Sequence, residues 1–265
     1  MLKVHTTAIV HPDAELGEGV EIGPYSVISN HVSLADGVKL HAHVVIEPFT
    51  RVGPDTEIFP GAILGGIPQD RKFKDEKSYL IVGANNIIRE CVTLHRAAGE
   101  GQETRIGDNN LLMAYSHIGH NCMIGNYITM ANMVGISGHA TVDDRVTIGG
   151  FVGIHQFVRI GTYSMLGGYS KVVQDVPPYM TADGRPAKVL DLNTVGLRRS
   201  GVPPSTRLDL KQAYKLLFRS NMNVTQALEV IERELPSSPE MDNLIRFMRN
   251  IRKGYGGRQQ EQPRT

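Results

Sequence analysis

The stretch LMAYSHIGHNCMIGNYITMANMVGISGHATVDDRVTIGGFVGIHQFVRIGTYSMLGGYSKV, residues 112–172, keeps six-residue time. Every sixth residue is aliphatic: Leu112, Ile118, Ile124, Met130, Ile136, Val142, Ile148, Ile154, Ile160, Leu166 and Val172. A fixed short period marks a solenoid, in which each repeat buries its apolar face only by stacking on its neighbours. The same stretch carries His117, His120, His139 and His155, and none of them falls on the aliphatic phase. A buried register beside an outward-facing histidine set is the expectation.

The phase runs back almost to the start of the chain, through Val4, Val10, Leu16, Ile22, Ile28, Leu34, Leu40, Ile46, Val52, Ile58 and Leu64. Val82, Ile88, Leu94 and Ile106 carry it to the quoted stretch, and Asp70, Glu76 and Glu100 break it. A second register two residues earlier prefers small or β-branched residues, among them Ala8, Ala14, Val20, Ser26, Val32 and Thr50. Gly often follows the aliphatic position, as at Gly17, Gly53, Gly107 and Gly161, which fits a positive φ or a close backbone approach. A 3.6-residue period does not hold this phase, and plain strand alternation does not ask for Gly at fixed offsets. The pattern predicts a parallel β-helix of hexapeptides with three faces and about eighteen residues per coil. Chirality rules for crossovers favour a right hand, and the hexads themselves do not set it.

The interruptions read as loops thrown out from the prism, near residues 66–80 and 96–104, and such insertions gather on binding faces. The β-helix is expected over residues 1–176, ending at Gln174-Asp175-Val176-Pro177-Pro178. Residues 177–254 are expected to form a helical domain of three helices, opened by Pro203-Pro204-Ser205, Asn223 and Ser238. Residues 255–265 are expected to be a disordered tail. The formal net charge of +1 predicts no bulk attraction to nucleic acid or anionic membrane. Two cysteines without a CxxC pattern argue against a disulfide framework or a zinc site. No leader and no run long enough for a membrane span is visible, so a cytoplasmic protein without stable membrane insertion is expected.

With eighteen residues per coil, His120, His139 and His155 fall near one edge on successive coils, with His117 half a hexad from His120. His95 joins that edge if the second loop replaces no more than one hexad. Neutral imidazole accepts a hydroxyl proton near neutral pH, which makes general-base chemistry the leading role. A metal site is the competing one. Zinc-binding hexapeptide coils such as the γ-class carbonic anhydrases pair histidines five apart with a third upstream, whereas His117 and His120 are three apart.

Taken together, Ser116-His117-Ile118-Gly119-His120-Asn121-Cys122, Ser137-Gly138-His139, Ile154-His155-Gln156-Phe157 and Gln174-Asp175-Val176-Pro177-Pro178-Tyr179 resemble the UDP-N-acetylglucosamine O-acyltransferases of lipid A biosynthesis. Pro68-Gln69-Asp70, Thr93-Leu94-His95-Arg96 and Ala213-Tyr214-Lys215-Leu216 share the resemblance, which covers the chain except its C-terminal tail. It implies a left-handed coil and a homotrimer with clefts between subunits. It also implies transfer of a 3-hydroxyacyl group from acyl carrier protein to the glucosamine 3-hydroxyl, with no cofactor and no metal. His120 matches the general base and the Gly138 N–H the oxyanion donor. Asp70, Lys72, His95, His117, His139, His155 and Gln156 match cleft-lining positions, Asn193 and Arg199 nucleotide positions, and Gly168 the acyl-chain ruler. Arg185, Lys188, Arg198 and Arg199 would meet the acidic carrier. Asn121 stands where relatives commonly have Asp, Val195 where they can have Glu, and Ser200 follows a single matched Arg. Transfer to a 3-amino sugar nucleotide, a sugar-nucleotide-binding scaffold without activity, and a metal-dependent hydratase are the rival readings. The related N-acyltransferases carry an extra domain before their coils, and here the hexads start by Val4.

Overall fold

The computed structural model describes residues 2–253. The expectation for the tail from residue 255 lies outside the described residues. Short strands wind into a left-handed parallel β-helix with three flat faces. Face I starts at Lys3–Val4, face II at Ile9–Val10 and face III at Glu15–Leu16, and the chain visits them in that order on every coil. Successive coils pair in parallel at an offset of eighteen residues, as Val27 with Val45 and Val45 with Ile63.

Both inward registers are buried as the hexads require. The aliphatic positions Leu64, Leu94, Leu112, Ile118, Ile136 and Ile160 are sealed from solvent, and so are the small positions Val20, Ser26, Val38, Thr50 and Ala62. Buried polar members of the second register satisfy backbone groups at the corners. Asn110 Oδ1 accepts the Ile128 N–H at 2.7 Å, and its amide donates to Gly125 O at 3.0 Å.

Gly17, Gly53, Gly107 and Gly161, each after an aliphatic position, serve close approach and not positive φ, whereas Gly65 after Leu64 has φ +83°. A Cβ on Gly53 would lie 2.5–2.6 Å from the Gly83 carbonyl of the next coil, and one on Gly161 2.4 Å from Pro178 N. The left-handed residue stands two positions later, and it is usually large: Tyr25, Phe49, Asn121, His139, Phe157 and Tyr169 all have φ near +60°. Such backbone is costly for a residue with a side chain. Stacking one coil above another offsets the cost, as in His139 on Phe157 and Phe151 on Tyr169.

Two insertions interrupt the register. Ile63 pairs with Thr93, thirty positions on, and Thr93 with His117, twenty-four on, so the loops add two hexads and one hexad. The first loop is residues 67–78 and the second 96–102. Both are shorter than expected, because the strands Tyr79–Val82 and Glu103–Ile106 begin inside the predicted loops. Leu80 and Thr104 there are fully buried and already belong to the coil.

The coil also outlasts its predicted end. The strand Met180–Gly184 adds in parallel to Met165–Leu166 on face I, then pairs antiparallel with Ala187–Leu192. The hexad phase fails there, since a hairpin needs a turn at Gly184 (φ +107°) and not a prism corner. Among the described residues four helices follow where three were expected: α1 (Thr194–Arg199), α2 (Pro204–Phe218), α3 (Val224–Glu234) and α4 (Pro239–Lys253). The short α1 has one buried residue, Leu197, so no apolar period betrays it. Asn223 and Gln226 form the capping box of α3, and Ser238 Oγ accepts the Met241 N–H. Asn243 and Phe247 of α4 reach the prism at Tyr179 and Arg159.

Gly53→Ala forces a methyl into the backbone of the next coil, away from the histidines. We expect it to destabilise the fold by about 1–3 kcal/mol, read as a lowered denaturant midpoint.

Candidate active site

The corner between faces II and III gathers the histidines. On successive coils the stacked positions run His95, Gly119, Ser137, His155, and the next residues along run Arg96, His120, Gly138, Gln156. A third column runs Asn121, His139, Phe157. The one-hexad second loop thus brings His95 to the edge, as its position after Leu94 implied.

Four of the five histidines pack together in pairs. The rings of His95 and His117 meet edge to face at 4.9 Å, and those of His120 and His139 at 5.2 Å. His155 stands three coils beyond His95, with its Nδ1 3.1 Å from Gln156 O. His95 points outward from the coil yet is only 8% exposed, because Gly66 at the root of the first loop covers it. The expectation of a solvent-facing histidine set fails at this one residue.

Burial and repulsion from neighbouring imidazoles lower three of these histidines, His95, His117 and His139. Burial pushes the His95 imidazole down to about 4, with the charges on His117 and His120 adding to the effect. His117 and His139 are lowered by the same two causes, burial first and then His120. Asp70 of the first loop acts on His139 in the opposite direction, so its carboxylate lies close enough to be felt at the corner. Asp70 Oδ1 accepts the Lys72 N–H at 3.0 Å, while the Lys72 side chain is exposed.

The surroundings of His120 specify its tautomer. Asn121 Oδ1 accepts the Ala98 N–H at 2.9 Å, and Asn121 Nδ2 donates to Ala98 O at 3.1 Å. This pair orients the amide without ambiguity. The same Oδ1 lies 2.9 Å from His120 Nδ1 and has only lone pairs to offer, so Nδ1 carries the hydrogen. In the neutral ring the lone pair is then on Nε2. Thr104 Oγ1 fixes the Asn121 backbone N–H at 2.8 Å. On the far side the imidazole lies against Gly138, where a Cβ would stand 2.7 Å from Nε2.

The remaining matched residues stand elsewhere on one chain. Gly168 is exposed at the corner between faces I and II, next to the column Tyr115, Met133, Phe151 and Tyr169. Asn193 caps α1 by accepting the Gly196 N–H and donates to Tyr163 O at the corner between faces III and I. Arg199 is exposed in the last turn of α1. Ala98, Thr104 and Thr93, whose Oγ1 is 2.8 Å from His117 Nδ1, had no role in the sequence reading. Ala98 acts through its backbone and leaves no side-chain signal. No group of three or more His, Cys, Asp or Glu placed to hold a metal ion occurs among the described residues.

Comparison with known proteins agrees with this architecture. The model for domain 2 of UDP-N-acetylglucosamine O-acyltransferase matches residues 175–255, and the hexapeptide transferase repeat model matches residues 103–138. The acyl-[acyl-carrier-protein]–UDP-N-acetylglucosamine O-acyltransferase of Thermodesulfovibrio yellowstonii is 47% identical over 96% of this chain and 99% of its own. That of Halorhodospira halophila is 41% identical over the same shares. Among solved structures, LpxA of Acinetobacter baumannii superposes with a TM-score of 0.90 at 44% identity, covering 93% of this chain and 96% of its own. The UDP-N-acetylglucosamine acyltransferase of Arabidopsis gives 0.85 at 33% identity, covering 98% of each. Near-complete coverage at these identities means that the chain belongs to the UDP-N-acetylglucosamine O-acyltransferase family.

Proposed function

We propose that this chain transfers a 3-hydroxyacyl group from acyl carrier protein to the glucosamine 3-hydroxyl of UDP-N-acetylglucosamine, with His120 as general base. The observation that carries the base assignment is the Ala98–Asn121–His120 hydrogen-bond chain, which leaves the Nε2 lone pair for substrate. Nε2 accepts the proton as the hydroxyl oxygen attacks the thioester carbonyl carbon. The Gly138 N–H stabilises the oxyanion that develops, because a fixed dipole needs no reorganisation as charge appears. The C–S bond then breaks and the imidazolium returns the proton to the departing sulfur. The imidazolium Nδ1–H donates to the uncharged Asn121 Oδ1, where a carboxylate acceptor would add charge stabilisation.

Asp70, Lys72, His95, His117, His139, His155 and Gln156 line the cleft in this reading, with Asn193 and Arg199 at the nucleotide and Gly168 at the acyl chain. A homotrimer is part of the proposal. Gly168, Asn193 and His120 stand at three different corners of the prism, so a neighbouring copy is needed to complete one cleft. The exposed column Tyr115, Met133, Phe151 and Tyr169 is apolar surface that such a neighbour covers. We also place the reaction in the cytoplasm. No helix among the described residues is long and apolar enough to cross a membrane.

Acyl transfer from a panel of 3-hydroxyacyl carrier proteins to UDP-N-acetylglucosamine tests the assignment. His120→Ala is expected to lower kcat at least about a hundredfold while binding of the sugar nucleotide persists. Equal turnover by both proteins would remove His120 as the base. Asn121→Asp places a carboxylate beside the imidazole and favours its protonated form, so the acid limb of the pH profile of kcat/KM should move to higher pH.

The neutral cluster also has a stability signature. The unfolded chain protonates His95 near 6.5 and the folded chain only near 4, so stability is level above 6.5 and falls as pH drops through that interval. His95→Gln should flatten that part of a denaturant-midpoint-against-pH curve. An unchanged slope would mean that His95 is not the group responsible.

A further inference from the structure

We propose that Arg96 is a positioning residue that latches the first loop, residues 67–78, over the histidine corner by clamping Phe73 against Phe49. The proposal deepens the function given above and rests on it for the identity of the sugar-nucleotide substrate.

Arg96 occupies the stacked position one coil before His120, and it is 92% buried, with 8% exposure. Its guanidinium carbon lies 5.4 Å from the Phe49 ring centroid and 5.4 Å from the Phe73 centroid. Phe49 belongs to the coil, where it stacks on His31, and Phe73 belongs to the loop. Arg96 therefore bridges coil and loop through two ring faces. A desolvated cation is costly unless it is compensated, and aromatic faces are one compensation. The Glu76 carboxylate of the same loop adds an electrostatic one, while Arg96 Nε is buried without a hydrogen-bond partner. A coil position with no other use for a cation would be served by an apolar residue.

Phe73 connects directly to the group that faces the site. Its N–H donates to Asp70 O at 3.0 Å, closing a tight turn that also takes in Lys72. Displacing the ring displaces the turn, and with it the carboxylate felt by His139. The loop's other ties lie at its ends. Arg96 N–H donates to Gly66 O at 3.0 Å, and Ser78 Oγ donates to Ala97 O. Between those ends Phe73 is the one aromatic side chain, and Arg71, Lys72, Lys74 and Asp75 around it are exposed. A long inserted segment of this composition costs little to open locally, so a single clamp sets its closed population.

A carboxylate accepts hydrogen bonds, and the sugar nucleotide is the substrate rich in hydroxyl donors. Loss of the clamp should therefore weaken acceptor binding without touching the base.

Arg96→Met, Arg96→Lys and Phe73→Ala separate the clamp from general stability. Expected are faster trypsin cleavage at Arg71, Lys72 and Lys74 in Arg96→Met and Phe73→Ala, and an intermediate rate in Arg96→Lys, which keeps the cation. The KM for UDP-N-acetylglucosamine should rise about tenfold, while kcat and the KM for the acyl carrier substrate stay within about twofold. The double variant Arg96→Met/Phe73→Ala should be no worse than either single one. Phe73 lies outside the coil, so its variant keeps the test open if Arg96→Met does not fold. Unchanged loop cleavage in both single variants, or a fall in kcat at unchanged KM, would overturn the clamp. Wild-type protein inactive on UDP-N-acetylglucosamine would overturn the functional reading instead, and cleavage would still decide the clamp.

Discussion

Backbone pairing between successive coils is the constraint on which everything else rests. Each short strand satisfies its N–H and C=O groups on the coils before and after it, and the interior is too narrow for more than one aliphatic and one small side chain per hexad. Every outward side chain then inherits its height from its place in an eighteen-residue count. Residues distant in sequence, such as His120 and Gly138, come together because the count places them one coil apart.

The two insertions work within that count. Each adds whole hexads, so faces and corners resume in phase and the coil continues undisturbed. The additional chain covers His95, supplies Asp70, and presents the Ala98 backbone to Asn121. The chemistry of the corner is thus shared: the rigid prism sets where the imidazoles stand, and the loops set their protonation and tautomer. Burial under the loop lowers His95, and the amide held by the second loop aims the His120 lone pair outward.

Crowding several imidazoles is useful only if most stay neutral. A second positive charge beside His120 would oppose the protonation that its proposed role as base requires, and desolvation of His95, His117 and His139 disfavours that charge. An Asn beside His120 is compatible with that proposed role, because the amide supplies direction and burial already disfavours charge on the neighbouring imidazoles.

The sequence alone determined the period, the inward registers, both loop sites and the histidine corner, since six-residue phase is a local pattern carried by single side chains. It left open whether the recurrent glycines serve positive φ or close approach. The coil answers that, because Gly53 faces the Gly83 backbone while Asn121 and His139 take the left-handed turn. The hairpin Met180–Leu192 and helix α1 carry no periodic signal long enough to read. The burial of His95, the amide orientation of Asn121 and the Phe49–Arg96–Phe73 sandwich were decided only in three dimensions. Each depends on segments that meet across coils and loops, and no spacing along the chain encodes which face of a loop turns inward.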